Sequence, residues 1–578
     1  MEQHAEVLRG GIWHQRIPGW RDVTAAAIVL AILILAGAGA RQMVAPLIAT
    51  RQPAISLSPA ALPLYALRTT MRMFAALAAS LVFTFTYATL AAKSPRAERV
   101  LVPLLDVLQS VPILGYLSFT VVFFVSLFPG NVLGLELAAI FAIFTSQAWN
   151  MAFSFYQSLR TIPHDLDEAS RSFRSSSWQR FWRLEVPFAM PGLVWNMMMS
   201  MSGGWFFVVA SEAISVGGNQ YTLPGIGSFV AQAMLESDLA ALGWAIAAMT
   251  VVILLYDQLL FRPMVAWAEK FRVEQTGLQA VARSWVFDLF QRSRLLDLAA
   301  RPIGLGLRVV AGARLELPPG IGRLSRWAPP RRLADIAWQG IVLAALAYVL
   351  YSLARLAQNT LSWGDVGDAF RNGALTLLRV AVLIVLATAV WVPIGIAVGL
   401  RPRLAGKVQP AAQFLAAFPA NLLFPVAVFF IVRFRLGPGV WLSPLMILGT
   451  QWYILFNVVA GASAFPGDLR EAAASFRIRG RRWWRDIMLP GIFPYYVTGA
   501  ITASGGAWNA SIVAEIVHWG ATTLDGRGLG SYIARMTEAG DYPRIALGVA
   551  VMSVLVIVTN RLLWRPLYRF AERRTRLD

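Results

Sequence analysis

PHDLDEASRSFRSSSWQRFWRLEVP fills Pro163–Pro187, and PGDLREAAASFRIRGRRWWRDIMLP fills Pro466–Pro490. The second stretch follows the first at a constant offset of 303 residues, without a gap, and nine of the 25 positions are identical. Unrelated segments would share roughly one or two, so the pair marks an internal repeat. Both copies are polar and rich in arginine. The sequence around them is apolar, and that contrast sets the reading of the whole chain.

Of 578 residues 57% are hydrophobic and only 14% charged, where a soluble domain carries about 25% charge. With a mean hydropathy of +0.58, the composition is that of a polytopic membrane protein. There is no cysteine, which excludes disulfides, thiol chemistry and thiolate metal sites. The four histidines, His4, His14, His164 and His518, are scattered, so no metal site is expected. A net charge of +20 would point to nucleic acid in a soluble protein. In a membrane protein it follows from the excess of Lys and Arg in cytoplasmic loops, and no nucleic-acid partner is expected. Residues 1–23 are polar and 24–40 apolar, ending AGAGA. The polar lead is long and the apolar run exceeds the about 7–15 residues of a signal-peptide core. It reads as an uncleaved first span.

Crossing a bilayer takes about 20 apolar residues. Runs of that kind fall near 24–42, 70–92, 102–127, 133–158, 190–213 and 240–262, then near 336–354, 374–399, 411–432, 438–460, 492–516 and 545–564. The expectation is twelve helices, six plus six. Alternating spans put Lys93, Arg96 and Arg99, Arg401, Arg403 and Lys407, the quoted segments and the C-terminal arginines on one side. Positive charge makes that side cytoplasmic, with both termini there. Between spans five and six, Glu212, Glu236 and Asp238 stand without Lys or Arg, as suits the outer face. Arg41, Arg51, Arg68 and Arg72 fall at or beyond the outer boundary, with no acidic residue to offset them.

The repeat extends beyond the quoted stretches. At offset 303, Trp205 matches Trp508, Glu212 matches Glu515, and GIGS (225–228) matches GLGS (528–531). Pro103 and Pro112 match Pro410 and Pro419 at offset 307. An even number of spans per half gives parallel repeats, and transporters place substrate paths at such repeat interfaces. The chain divides into a first repeat over 1–271, a cytoplasmic linker over 272–334 and a second repeat over 335–578. The linker reads as an amphipathic helix lying on membrane lipid or as a disordered tether.

Each quoted segment begins as a helix. Pro163 and Pro466 suit its first position, and Asp165 with Glu168, and Asp468 with Glu471, favour the helix dipole. Leu166, Ala169 and Phe173 share one face. A second short helix, rich in Trp and Arg, runs to Pro187 or Pro490. The result is a helical hairpin on the cytoplasmic surface, with its tip near 174–177 and 477–480. A loop that only sets topology needs arginine at no particular spacing. Two copies that keep Glu, Ala, Phe and Pro in register point to a docking surface used twice.

Glu168-Ala169-Ser170 with Val186-Pro187, and Glu471-Ala472-Ala473 with Leu489-Pro490, resemble the EAA loop of the membrane subunits of binding-protein-dependent ABC importers. The resemblance covers about 70–271 and 374–574. FPANLLFP (418–425) and the duplicated layout resemble the fused permeases grouped with nitrate, sulfonate and taurine importers. The resemblance implies an all-α integral membrane fold of the type I importer kind, in a bacterial inner membrane. It implies two copies of an ABC ATPase, which bind ATP and magnesium, and a periplasmic substrate-binding protein. Glu168, Ala169, Phe173 and Arg174, with Glu471, Ala472, Phe476 and Arg477, would couple to the ATPases. One departure stands in both copies: the motif's Gly is replaced by Arg174 and Arg477, which unsettles where the hairpin turns.

Glu212 and Glu515 lie near the outer end of span five, where a carboxylate is costly and often functional. With an anionic cargo they would act as gate or structural residues. Trp205 and Trp508, two turns away on the same face, would line the path or simply pack. GIGS and GLGS follow no strand and fail the context of a nucleotide loop, so a tight turn beside the binding protein is expected. Lys93, Lys270 and Lys407 are the only lysines, and none sits in the Gly-Lys-Ser/Thr setting that cradles phosphate. The chain is therefore expected to be no enzyme and to hold no cofactor or metal. An ion-gradient carrier with six plus six spans is the alternative. A membrane-embedded enzyme lacks any candidate nucleophile or acid–base pair beyond the two glutamates.

Overall fold

The computed structural model describes residues 22–30, 55–109, 111–216, 219–271, 284–314 and 361–575 except 464 and 466, with single positions between 340 and 355. The chain divides into two compact units. One gathers residues 1–40, 162–191 and 256–317, and the other gathers 41–161, 192–255 and 318–578.

In the first repeat, α1 (Leu62–Lys93) leads to α2 (Pro95–Leu108), α3 (Leu117–Leu127) and α4 (Leu133–Arg160). The quoted segment supplies α5 (His164–Ser172), and α6 (Val186–Ser211) follows it. A β-hairpin, β1 (Ala213–Val216) and β2 (Asn219–Thr222), precedes α7 (Ile226–Leu235) and α8 (Leu239–Tyr256). The linker contains α9 (Trp285–Arg292) and α10 (Arg294–Gly312). The second repeat runs α11 (Trp363–Gly399), α12 (Pro402–Ala417), α13 (Phe424–Arg433), α14 (Trp452–Ser463), α15 (Gly467–Ser475) and α16 (Leu489–Ala514). It ends with β3 (Ile516–Trp519), β4 (Thr522–Asp525), α17 (Leu529–Ala539), α18 (Tyr542–Thr559) and α19 (Arg565–Thr575).

Six described helices are long and apolar enough to cross a membrane, or eight if each of two bent pairs is one span. Runs 24–42 and 336–354 lie largely outside the described residues. The run 102–127 is not one helix. It stops at Leu108, makes a 3-10 turn at Leu114–Tyr116 and resumes as α3. Pro112 lacks a backbone N–H and disfavours helical geometry at Val111, which breaks the ladder there. At 11 residues, α3 is only about 16 Å long. Pro419 does the same in the second repeat, where 411–417 and 420–433 meet at 77°. A third break bends 438–448 against 452–463 by 45°. The two hairpins also depart from a purely helical expectation; in each, four residue pairs join antiparallel strands.

The helices of the larger unit meet through small residues. Gly395 and Gly399, four apart on α11, lie against α14. A Cβ on Gly399 would come within 2.6 Å of Ala462 Cβ and 2.7 Å of Val459 O. Small residues at this spacing let two helix backbones approach. Gly399→Ala is therefore expected to cost about 1–3 kcal/mol through overpacking. Gly367→Ala, with nothing within 4 Å, should be neutral or slightly stabilising. Thermal unfolding of the two variants in detergent compares them directly, and equal melting temperatures would count against this packing.

Candidate functional site

The quoted segments form the expected pair of hairpins. Pro163 sits one position earlier than predicted, as the N-cap of α5, with Asp165 and Asp167 in the first turn. Pro466 lies outside the described residues. Both hairpins turn at the arginine that replaces the motif glycine. Arg174 has φ 49° and Arg477 φ 52°. The N–H of Ser175 reaches Ser170 O at 3.3 Å, and that of Ile478 reaches Ala473 O at 2.9 Å. This is the closing bond of a helix C-cap with a left-handed residue, a place usually held by glycine. The turn thus stands where a glycine would put it, ahead of Gly480, itself at φ 60°. A non-glycine residue there costs roughly 1–2 kcal/mol.

The face offered by each hairpin is open. Glu168, Ala169, Phe173 and Arg174 are exposed, as are Glu471, Ala472, Phe476 and Arg477. Phe173 is 81% and Phe476 80% exposed. Two equivalent phenylalanines left in solvent are informative where a lone one would not be. The first hairpin is braced from behind: Asp167 meets Arg171 at 2.8 Å and Arg180 at 2.5 Å, and Arg180 also meets Glu185 at 3.2 Å.

Glu212 and Glu515 are the centres of two buried clasps. Glu212 accepts hydrogen bonds from Thr69 Oγ1 at 2.7 Å, Arg72 Nη1 at 2.6 Å and the Gly227 N–H at 2.6 Å. Arg72 is fully buried and also grips Glu136 through Nε and Nη2, at 2.6 and 2.7 Å. Arg72 is therefore offset by two carboxylates, 64 and 140 residues away in sequence. In the second repeat Glu515 accepts from Thr376 at 2.8 Å, Arg379 at 3.0 Å, Gly530 at 2.8 Å and Ser531 at 3.2 Å. Gly439 stands where Glu136 would be at offset 303. Arg379 turns instead to the carbonyls of Gly526 and Arg527.

GIGS and GLGS are not tight turns. Gly225 and Gly528 are the N-caps of α7 and α17, whose first amides point at the carboxylates. Negative charge at a helix N-terminus is favourable. A Cβ on Gly225 or Gly528 would lie 2.3 Å from a carboxylate oxygen, and one on Gly227 would lie 2.2 Å from Val209 O. The glycines are there for close approach.

A cavity of about 350 Å³ lies in the larger unit between residues of both repeats. Gln109, Asn150 and Ser202 line it from the first, with Thr450, Asn509 and Asn560 from the second. None of its lining residues is charged. Trp508 borders it; Trp205 does not, and is fully buried in packing. Two hydrogen bonds beside it join the repeats. Asn509 Oδ1 accepts from the Ile113 N–H at 2.7 Å, beside the Pro112 break. Asn421 Nδ2 donates to Phe206 O at 3.0 Å, beside the Pro419 break. Phe206 and Asn509 are equivalent at offset 303. Among the described residues no cluster of His, Asp or Glu could hold a metal ion.

Two expectations follow. Arg72→Met strands two buried carboxylates and should cost about 3–5 kcal/mol. Arg379→Met should cost less, because Arg379 is 16% exposed and faces a single carboxylate. Melting curves in detergent rank them, and the reverse order contradicts the clasp assignment. Arg174→Gly should relieve about 1 kcal/mol of left-handed strain. Slower amide exchange at 170–176 is the expected sign; faster exchange would mean that the arginine side chain holds the turn.

Comparison with known proteins agrees with this arrangement. The family model for the inner membrane component of binding-protein-dependent transport systems matches the chain twice, over residues 83–262 and 391–577. The glycine betaine/proline betaine transport system permease protein ProW of Escherichia coli is 34% identical over 153 residues, 26% of this chain and 39% of that protein. The bicarbonate transport system permease protein CmpB of Synechococcus elongatus is 28% identical over 186 residues, 32% of this chain and 64% of its own length. The nitrate import permease protein NrtB of Leptolyngbya laminosa is 24% identical over 212 residues, 35% of this chain and 72% of its own length. The chain thus spans about two fifths of ProW and just under two thirds of CmpB. The two matched stretches take in more than half of the sequence and fall one in each repeat, so the chain belongs to the binding-protein-dependent transport system inner membrane component family, in a duplicated form.

Proposed function

We propose that this chain carries both permease halves of an ABC importer, twelve spans folded as a pseudo-dimer in a bacterial inner membrane, with both termini cytoplasmic. The observation that carries the reading is the pair of equivalent, exposed hairpins, each with an unpartnered Phe and a Glu-Ala face. Each hairpin docks one copy of a separate ATPase subunit. ATP and magnesium are bound there, and closure of the ATPase pair moves the hairpins and opens the path between the repeats alternately to either side. A periplasmic binding protein delivers the cargo.

The cargo we favour is a small anion. Two of the relatives are named for bicarbonate and nitrate, while ProW is named for betaines. The cavity is compatible with an anion, since its lining holds no carboxylate to repel one. Glu212 and Glu515 fit a structural role, since donors saturate them at the outer end of span five. That also disfavours a proton-coupled carrier, which needs an acid free to exchange protons in the path.

Native mass spectrometry of the tagged chain, gently extracted from its own membrane, tests the reading. Two ATPase copies per chain are expected. Phe173→Asp should leave one copy and Phe173→Asp with Phe476→Asp none. Replacing Glu168 and Glu471 together should weaken docking and uncouple transport. A chain that is stable and free of any ATPase, or a double variant that keeps both copies, would overturn it.

A further inference from the structure

The linker helix α10 is anchored at both ends within its own unit. At its start, Ser293 caps the helix and donates to Asp22 Oδ1 at 3.0 Å, and the Leu295 N–H donates to the same oxygen at 3.2 Å. Asp22 stands two residues before the apolar run 24–40. At its other end the last carbonyls of a helix have no partner within it. Here the first hairpin supplies partners: Trp178 Nε1 donates to Val310 O and Gln179 Nε2 to Gly312 O, both at 2.7 Å. Gln179 is at the same time half of a capping box with Ser176, accepting from its N–H at 3.1 Å. The amide therefore ties α10 to the turn of the hairpin. The equivalent residues of the second hairpin, Arg481 and Arg482, are both exposed arginines and offer no such amide.

Between its anchors α10 presents a stripe that no described residue covers. Leu298, Leu305 and Val309 share one helical face by their spacing and are 63%, 60% and 72% exposed. Arg301 and Arg308, seven apart, edge that stripe and are exposed. Arg301 pairs with Asp297 at 2.9 Å, and Arg308 has no ionic partner among the described residues. Five arginines and one aspartate fall between 292 and 314. An apolar stripe edged with arginine binds in the plane of a bilayer surface, with the guanidinium groups reaching to headgroups. The tether at Asp22 puts the start of α10 at the foot of an apolar run, where such a surface would be.

We propose that α10 is a membrane-surface strap that binds anionic lipid through this stripe and through Arg301 and Arg308. Its hold on Trp178 and Gln179 passes that binding to the first hairpin and not to the second. The two hairpins are then inequivalent: one answers to the charge of the cytoplasmic leaflet, the other only to what docks on it.

The test uses the full chain in nanodiscs of phosphatidylcholine alone or mixed with phosphatidylglycerol. Amide hydrogen exchange is followed at 294–312, 164–180 and 467–482. Each arginine at an anionic surface is worth about fivefold in binding, so with two of them phosphatidylglycerol should slow exchange by up to about 25-fold in α10. The first hairpin should slow with it, and the second should not change. Arg301→Ser with Arg308→Ser should abolish both effects, with unchanged exchange in α16 reporting an intact fold. Trp178→Phe with Gln179→Glu keeps the capping acceptor and removes the donors; it should keep the effect in α10 and lose it in the hairpin. Equal exchange in the two lipids overturns lipid binding. A hairpin response that survives the second variant, or appears equally in both hairpins, overturns the strap.

Discussion

A carboxylate enclosed at the end of an apolar helix has to collect its own solvation from the protein. Glu212 and Glu515 do so with a threonine hydroxyl, a guanidinium and backbone amides at a helix N-terminus. Those donors come from separate parts of each repeat: α1 and α7 in the first, α11 and α17 in the second. The glutamate is thus the point where the first long helix, the end of span five and the start of the next helix are fastened together. Much else follows from it. The glycines at 225, 227, 528 and 530 are needed because the amides must come this close. The short β-hairpins turn the chain back so that those amides face the carboxylate. The threonine completes the set, since Thr69 and Thr376 also accept from the N–H of Ile226 and Leu529.

Duplication kept this clasp but not its full charge. The first repeat balances one guanidinium with two carboxylates. The second has Gly439 in place of the second carboxylate, and its guanidinium satisfies the difference with backbone carbonyls and partial exposure. A fully buried ion cluster tolerates no missing partner, whereas one open to solvent does. The hairpins differentiated in the same way. Asp167, Arg180 and Glu185 brace the first from behind, while their counterparts are Arg470, Trp483 and Met488. What stayed common is the outward face with its Phe, its Glu-Ala pair and a left-handed arginine. Shared faces over divergent supports indicate that the face is what each hairpin uses.

The offset of 303 made the repeat, the hairpins and the equivalence of Glu212 with Glu515 legible without coordinates, because all three are local patterns copied in register. Arg72 was not legible. Its partners lie 64 and 140 residues away, and no local pattern announces them. One signal was available: Thr69 and Arg72 recur as Thr376 and Arg379 at offset 307, so the threonine–arginine pair was duplicated along with the glutamate it meets. The breaks at Pro112 and Pro419 were visible as prolines, yet hydropathy averaged over a window runs straight across them. The β-hairpins are four residues per strand, too short for alternation to stand out against an apolar background. GIGS was read as a turn because glycine permits turns; here glycine serves close approach, which depends on what lies opposite.

Charge in this chain is sorted by place, and the sorting bears on transport. Among the described residues, arginines occupy the hairpins, the linker helices and the clasps, with Arg72 held by two carboxylates and Arg174, Arg477, Arg301 and Arg308 exposed. The cavity between the repeats holds amides, hydroxyls and aromatic rings but no ion among its lining residues. A path must bind its cargo well enough to admit it and weakly enough to release it. A fixed guanidinium in a dry cavity would hold an anion tightly, and a fixed carboxylate would exclude it. For the small anion proposed as cargo, neutral donors would avoid both extremes and, being neutral, would discriminate poorly between anions. On the importer reading, selectivity then has to be supplied before the cargo reaches the membrane, by the protein that delivers it, and the cavity needs only to conduct. The Asn509–Ile113 and Asn421–Phe206 hydrogen bonds, made beside that cavity, each join one repeat to the other. Each is weak enough, at about 0.5–1.5 kcal/mol, to be broken and remade if the repeats move as proposed.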